Sequence, residues 1–152
     1  MSTLRPQFST PAALTITLAS LASSTTGVGQ QGTIVDNTTD RFDLIYLIAK
    51  FRTGTSPTAD RSIFIYLIKG DGTRRTDGAG ATDAAFTREN ARLLRVIPTD
   101  NTSDKDYEVD LTIANPGREL TVAVVHDTGV AFNATAAEQR IHWYGEHIES
   151  VA

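Results

Sequence analysis

Two stretches decide the fold class: Asp43-Leu44-Ile45-Tyr46-Leu47-Ile48-Ala49-Lys50-Phe51-Arg52-Thr53 and Ser62-Ile63-Phe64-Ile65-Tyr66-Leu67-Ile68-Lys69-Gly70. Each is an apolar run of strand length, rich in β-branched and aromatic side chains that pack well on a pleated surface. Gly54-Thr55-Ser56-Pro57 lies between them and carries turn chemistry, with glycine free to take positive φ and proline fixing its own. Leu44 to Ile48 and Ile63 to Ile68 are apolar on both faces, so these strands belong inside a sheet that is covered from either side. Taking residues two apart as one face places Leu44, Tyr46, Ile48, Ile63, Ile65 and Leu67 in the core.

Outward from this pair the same signals recur at fairly regular intervals. Leu14, Ile16 and Leu18 alternate with Thr15, Thr17 and Ala19 in a strand from Ala12 to Leu21, and further strand signals fall at Thr33–Asp36, Ala91–Pro98, Tyr107–Ala114, Glu119–His126 and Gln139–Ile148. That makes about eight strands and predicts an all-β, two-sheet antiparallel sandwich, with Val122, Val124 and Ile141 joining the core. Gly70-Asp71-Gly72, Asp100 to Asp104 and Asn115-Pro116-Gly117 punctuate it as tight connections. Asp71 to Thr87, rich in Gly, Ala, Thr and Asp, reads as a surface loop that ends in a helical turn at Thr87–Ala91.

Residues 1–11 are polar, carry Pro6 and Pro11, and have only Leu4 and Phe8 to bury, so they read as an extended arm ahead of a single domain at 12–152. Such an arm is best ordered by a neighbouring chain. The expected partner contacts are Arg5, Pro6 and Phe8, with the prolines limiting the entropy lost on docking and Phe8 as the buried anchor. Arg5 followed by Ala12 to Ala22 imitates a secretory signal, but the prolines and the period of two favour arm and strand.

Composition narrows function mainly by exclusion. The 152 residues carry a net charge of −4 and no cysteine, which removes disulfides, thiolate metal sites and cysteine nucleophiles. Clustered basic residues of the kind that neutralise phosphates are missing, and Arg74-Arg75 is the only adjacent basic pair, so no nucleic-acid partner is expected. No run reaches the roughly 18 apolar residues of a membrane-spanning helix, so no membrane partner is expected either.

Gly27-Val28-Gly29-Gln30-Gln31-Gly32 is a literal GxGxxG, yet a dinucleotide site needs those glycines to open a helix. Thr33, Ile34 and Val35 follow instead, which makes a glycine turn the better reading and leaves no cofactor expected. His142 and His147 are five apart on one strand and point to opposite faces, so they cannot chelate a metal together. His126-Asp127 lacks a serine in a Gly-x-Ser-x-Gly elbow. Asp106, Glu108 and Asp110 share one strand face at spacings that overlap those of glycosidases, but a well-hydrated charged face cannot raise a carboxyl pKa. The acidic turn from Asp100 departs from a calcium loop at Lys105 and Leu111. Asn37, Asn101 and Asn133 head glycosylation sequons that matter only in a secretory pathway. Trp143, Tyr144, Tyr46 and Tyr66 would form a sugar-stacking platform if they shared a concave face, and read otherwise as packing. No catalytic, cofactor or metal constellation is expected, and the chain is not read as an enzyme.

The chain resembles the capsid decoration, or cement, proteins of tailed bacteriophages. The likeness is carried in order by Ala13-Leu14-Thr15-Ile16-Thr17-Leu18-Ala19-Ser20-Leu21, Val35-Asp36-Asn37-Thr38-Thr39, Thr53-Gly54-Thr55-Ser56-Pro57-Thr58-Ala59 and His126-Asp127-Thr128-Gly129-Val130-Ala131-Phe132-Asn133-Ala134-Thr135-Ala136. The resemblance implies a β-sandwich of jelly-roll type, located in the virion on the outer surface of the capsid. There it would bind the major capsid protein and itself as a homo-oligomer, dimer or trimer, and would need no catalytic residue. The alternative of another class is a carbohydrate-binding jelly-roll module of a phage fibre or appendage.

Overall fold

The computed structural model describes residues 3–151, and residues 1 and 2 of the expected arm lie outside them. The strands are β1 (Thr3–Phe8), β2 (Ala12–Ala13), β3 (Val28–Gln31), β4 (Val35–Asp36), β5 (Leu44–Arg52), β6 (Arg61–Gly70), β7 (Ala84–Thr87), β8 (Arg92–Thr99), β9 (Asp106–Ala114), β10 (Glu119–His126) and β11 (Arg140–Val151). Among the described residues the one helical element is a 3-10 turn, Ala136–Glu138. One sheet runs β1-β11-β5-β9, with β2 also on β11; the other runs β7-β3-β10-β6-β8, with β4 also on β10. All of these strand pairs are antiparallel. The chain crosses between sheets from β2 to β3, β4 to β5, β5 to β6, β8 to β9, β9 to β10 and β10 to β11, which makes a two-sheet sandwich of jelly-roll type. The strand count exceeds the eight expected because β1 forms within the expected arm, β3 within the expected glycine turn at Gly27–Gly32 and β7 within the expected surface loop.

The core lies between the sheets. Ile63, Ile65 and Leu67 of β6, Val122 and Val124 of β10 and Ile141 of β11 are buried there as the alternation predicts. In β5 the phase is the opposite of that expected. Ile45, Leu47, Ala49 and Phe51 point inward, while Leu44, Tyr46 and Ile48 face out, with Ile48 54% exposed. Lys50 and Arg52 decide this: a strand cannot turn two cations into an apolar core, so their parity faces water.

The stretch from Leu14 onward is buried with a period of two, but it is not a ladder strand beyond Ala13. Its backbone spans the two sheets. Leu14 N–H bonds to Ile141 O in the first sheet, Thr33 N–H to Thr15 O beside the second, and Ser24 N–H to His126 O of β10. Alternation here records one covered face, with Leu14 and Leu18 buried, and not a pairing partner.

Asp71–Thr87 is also no free loop. It contains β7 and lies over the outer face of the second sheet, where Phe86 packs with Tyr66, Ile68, Ala123 and Val125 in a second apolar cluster. Gln31, fully buried, donates to Gly80 O and Thr82 O and accepts from Ala79 N–H. Asp77 Oδ2 accepts the successive N–H groups of Glu89, Asn90 and Ala91, which organises the turn that was expected to be helical.

Candidate functional site

Residues 3–11 do not form a separate arm. β1 pairs with the C-terminal half of the chain's own β11, from Thr3↔Val151 to Phe8↔Glu146. Ser9 N–H bonds to Gly145 O, but Gly145 N–H donates to the Ser9 hydroxyl oxygen, and the ladder breaks there before β2. Bonding parity follows from that pair. The N–H groups of Gln7, Arg5 and Thr3 face β11, while those of Leu4 and Phe8 face outward, and Pro6 falls at an outward position where its missing N–H costs no ladder bond.

β5 accompanies β11 only as far as Leu44↔Glu146, with Asp43 N–H adding one more bond to Glu146 O. Beyond it, β1 and the end of β11 continue as a two-stranded ribbon for about 17 Å at roughly 3.4 Å per residue. Near the tip both faces are in water: Leu4 is 70% and Ile148 60% exposed, and Arg5 and Glu149 are exposed on the reverse. A two-stranded ribbon is marginal by itself, so a partner surface would stabilise this one.

The ribbon's outward apolar groups run into the outer face of the first sheet. Cross-strand register brings Leu4, Pro6, Phe8, Ile148, Tyr144, Tyr46 and Ile48 onto one face. Tyr46 and Tyr144 stack with centroids 4.9 Å apart, and Phe8, 59% exposed, sits 6.4 and 6.3 Å from them. Tyr46 donates its hydroxyl to Glu146, and that bond raises the phenol pKa. Phe8 is tilted 51° and 64° to the two tyrosines, so the three rings share no plane. Such a cluster suits interlocking with protein side chains better than stacking on a flat sugar. Beside it a groove of about 330 Å³ opens between Pro11, Ile48 and Tyr144, with Lys50, Glu108, Arg140 and His142 around it. Arg5, Pro6 and Phe8 are thus on or beside this surface, Arg5 on the opposite face of the ribbon from the other two.

Gly145 supports the ribbon's root. A Cβ there would lie 2.1 Å from the Phe42 ring, so glycine is the only residue that lets Phe42 seat against β11. Asn37 holds the Phe42 backbone from both sides, accepting its N–H at 2.7 Å and donating to its carbonyl at 3.2 Å. Phe42 in turn contacts Trp143 and His147.

The remaining candidates resolve into structure. Asp106 is clamped by Arg52 through two bonds of 2.6 and 2.9 Å with Lys50 at 3.0 Å, and Arg52 first, then Lys50, holds its carboxyl at about 2. A carboxylate so paired cannot serve as a proton donor near neutral pH. Lys105 and the Thr102 N–H occupy the Asp100 carboxylate, where a calcium ion would need it. His126 is buried, stacked on Phe132 at 3.9 Å, and bonded to Leu21 O and Thr128 Oγ1; burial lowers its pKa and keeps it neutral. In the GxGxxG stretch a Cβ at Gly29 would stand 2.0 Å from Val124 O, so that glycine admits a neighbouring backbone and not a phosphate. The Asn37 amide, buried and bonded three ways, cannot accept a glycan. Trp143 turns inward and Tyr66 lies on the other sheet, so neither joins Tyr46 and Tyr144.

The outward phase of β5 was the feature missed by reading the sequence, and it is what makes the face apolar. Lys50 and Arg52 were the signal that could have found it.

Neither a protein-family model nor a characterised protein matches the sequence. Among solved structures, one described as "EclA C-terminal domain; sugar-binding protein" is similar with a TM-score of 0.34 and 5% identity, over 97% of this chain and 79% of that one. A likeness at that score carries no argument about what this chain binds.

Proposed function

We propose that this chain is a structural virion protein that binds the outer surface of a phage head and cements neighbouring major capsid proteins, acting as a dimer or trimer. The carrying observation is the projecting β1–β11 ribbon, whose exposed Leu4, Pro6, Phe8 and Ile148 continue into the apolar outer face of the first sheet. A contiguous apolar surface of this kind on a small domain is the mark of a protein contact. Binding to a repeating lattice asks little of each contact, because linked copies supply avidity. The resemblance of its sequence segments to those of decoration proteins agrees with the same reading.

The experiment adds purified full-length protein to heads that lack it and compares it with the double variant Leu4→Ser, Ile148→Ser. Both residues are mostly exposed, so the variant keeps its fold by circular dichroism. Its occupancy on heads falls at least about tenfold, as expected when apolar anchors of a contact are removed. Equal occupancy of the two proteins, or no binding of either, refutes the reading. The carbohydrate-binding alternative ranks second, since Phe8, Tyr46 and Tyr144 offer no flat platform. The surface that favours it lies on the opposite face of the sandwich.

A further inference from the structure

The segment that covers the outer face of the second sheet stops short at one end. There a cleft of about 400 Å³ opens between the turn at Ser24–Gly27 and the ends of β6 and β10. Its floor is the half-buried Phe64, its rim carries the exposed hydroxyls of Thr25 and Thr26, and two guanidinium groups, Arg61 and Arg88, line it.

Arg88 is pre-set. Its Nη1 donates to the Tyr66 hydroxyl at 3.1 Å, its guanidinium lies over the Tyr66 ring at 5.6 Å, and its backbone N–H bonds to Gly27 O. The other guanidinium N–H groups have no partner among the described residues. A stacked, oriented guanidinium is the form best suited to a planar anion, because little rotamer freedom is left to lose. Arg61 is 45% exposed, and its nearest carboxylate, Asp127, stands at 3.8 Å with one oxygen already taken by Ser62 N–H at 2.7 Å. Asp127 also lines the cleft, with Oδ2 toward Arg61, so two guanidinium groups face one carboxylate and leave the cleft rich in donors and net positive within a chain whose net charge is −4.

We propose that this cleft binds the carboxylate of an acidic sugar, a uronic acid residue of a polysaccharide, with Arg88 and Arg61 on the carboxylate, Phe64 under the ring and the threonine hydroxyls on its hydroxyl groups. An acidic peptide shares the carboxylate but would also need backbone partners. The β6 edge offers a peptide little room for strand addition, since from Ile63 to Leu67 it is paired with β10 on one side and with β8 on the other. The cleft and the ribbon face lie on opposite sheets, so a chain docked by one leaves the other open.

Titration calorimetry on the isolated full chain tests this with three probes: a galacturonic acid tetrasaccharide, the neutral galactose tetrasaccharide and a tetraglutamate peptide. The acidic sugar binds, the other two bind at least about tenfold more weakly, and Arg88→Gln and Arg61→Gln each weaken the acidic sugar about tenfold, the loss of one charge-assisted contact. Arg61→Gln leaves the Arg88–Tyr66 contacts in place, so its loss of binding stands even if Arg88→Gln disturbs the fold. No binding of the acidic sugar at millimolar concentration overturns the proposal. So does equal binding of the neutral sugar or the peptide, or full binding by Arg61→Gln.

Discussion

Replacing Gly145 by alanine adds one methyl group at the root of the ribbon, and the geometry makes that methyl expensive. The new Cβ would stand 2.1, 2.2 and 2.4 Å from three carbons of the Phe42 ring, far inside contact distance. The ring cannot slide away along the strand, because Asn37 fixes the Phe42 N–H and carbonyl together and Trp143 and His147 flank it. It has to leave its site. Losing a buried phenylalanine contact costs about 3–5 kcal/mol, so partial re-seating puts Gly145→Ala at roughly 3 kcal/mol. A domain of this size would then melt about 6–12 °C lower. The chain has a single tryptophan, Trp143, in contact with Phe42, so urea unfolding followed by its fluorescence reads the global transition and the local site in one experiment. Phe42→Ala supplies the control. Once the ring is gone the added methyl has nothing to strike, so the double variant should be no less stable than Phe42→Ala alone. A Gly145→Ala loss below about 1 kcal/mol, or additive losses in the double variant, would refute the reasoning.

The two phases of the central strands make opposite predictions for similar changes. Ile48→Lys, at a site 54% exposed, should shift stability by less than about 0.5 kcal/mol, whereas Ile65→Asp buries an unpaired charge and should leave no cooperative unfolding transition by circular dichroism. The buried His126 sets a pH dependence. Burial depresses its folded pKa, so the unfolded chain binds the extra proton below about pH 6.5; stability is full above that and falls with acidification, by at most about 1.4 kcal/mol per pH unit. Urea midpoints measured from about pH 8 to pH 5 check this, and a flat profile would contradict it.

The sandwich was legible in its apolar strands, and the parity expected for β6 and β10 held although both faces of each are buried. Val122 and Val124 lie in a strand bounded by Glu119 and His126, and Ile63, Ile65 and Leu67 lie opposite them in register, so the pairing is consistent with the pattern. Leu44 to Ile48 is apolar on both faces, so the core was expected on the wrong parity, and the apolar face left outside is the one proposed for docking. Alternation at Leu14 to Leu18 could not distinguish a ladder strand from a strap crossing between sheets, since burial on one side is the same in both. The buried amides of Gln31, Asn37 and Gln139 were invisible for another reason. Each acts as a backbone surrogate, as where Gln139 accepts Arg52 N–H and donates to Arg52 O, and glutamine or asparagine at such a place looks like any surface residue in a sequence.

The first residues were read as polar and therefore as an arm, but hydrogen-bonding partners outweighed composition. β11 is long enough to overhang β5, and β1 fills the vacant side of that overhang. Pro6 and Phe8 are exposed on one face of β1, with Arg5 on the other.

The orientation of the bound protein tests the central claim most directly. Cryo-electron microscopy of heads carrying the full chain should place the β1–β11 ribbon, with Leu4, Phe8 and Ile148, against the capsid shell and leave the arginine cleft of the second sheet facing outward. Density that seats the protein on its second sheet, with the ribbon free in solvent, would contradict the account, as would heads with no density for it at all.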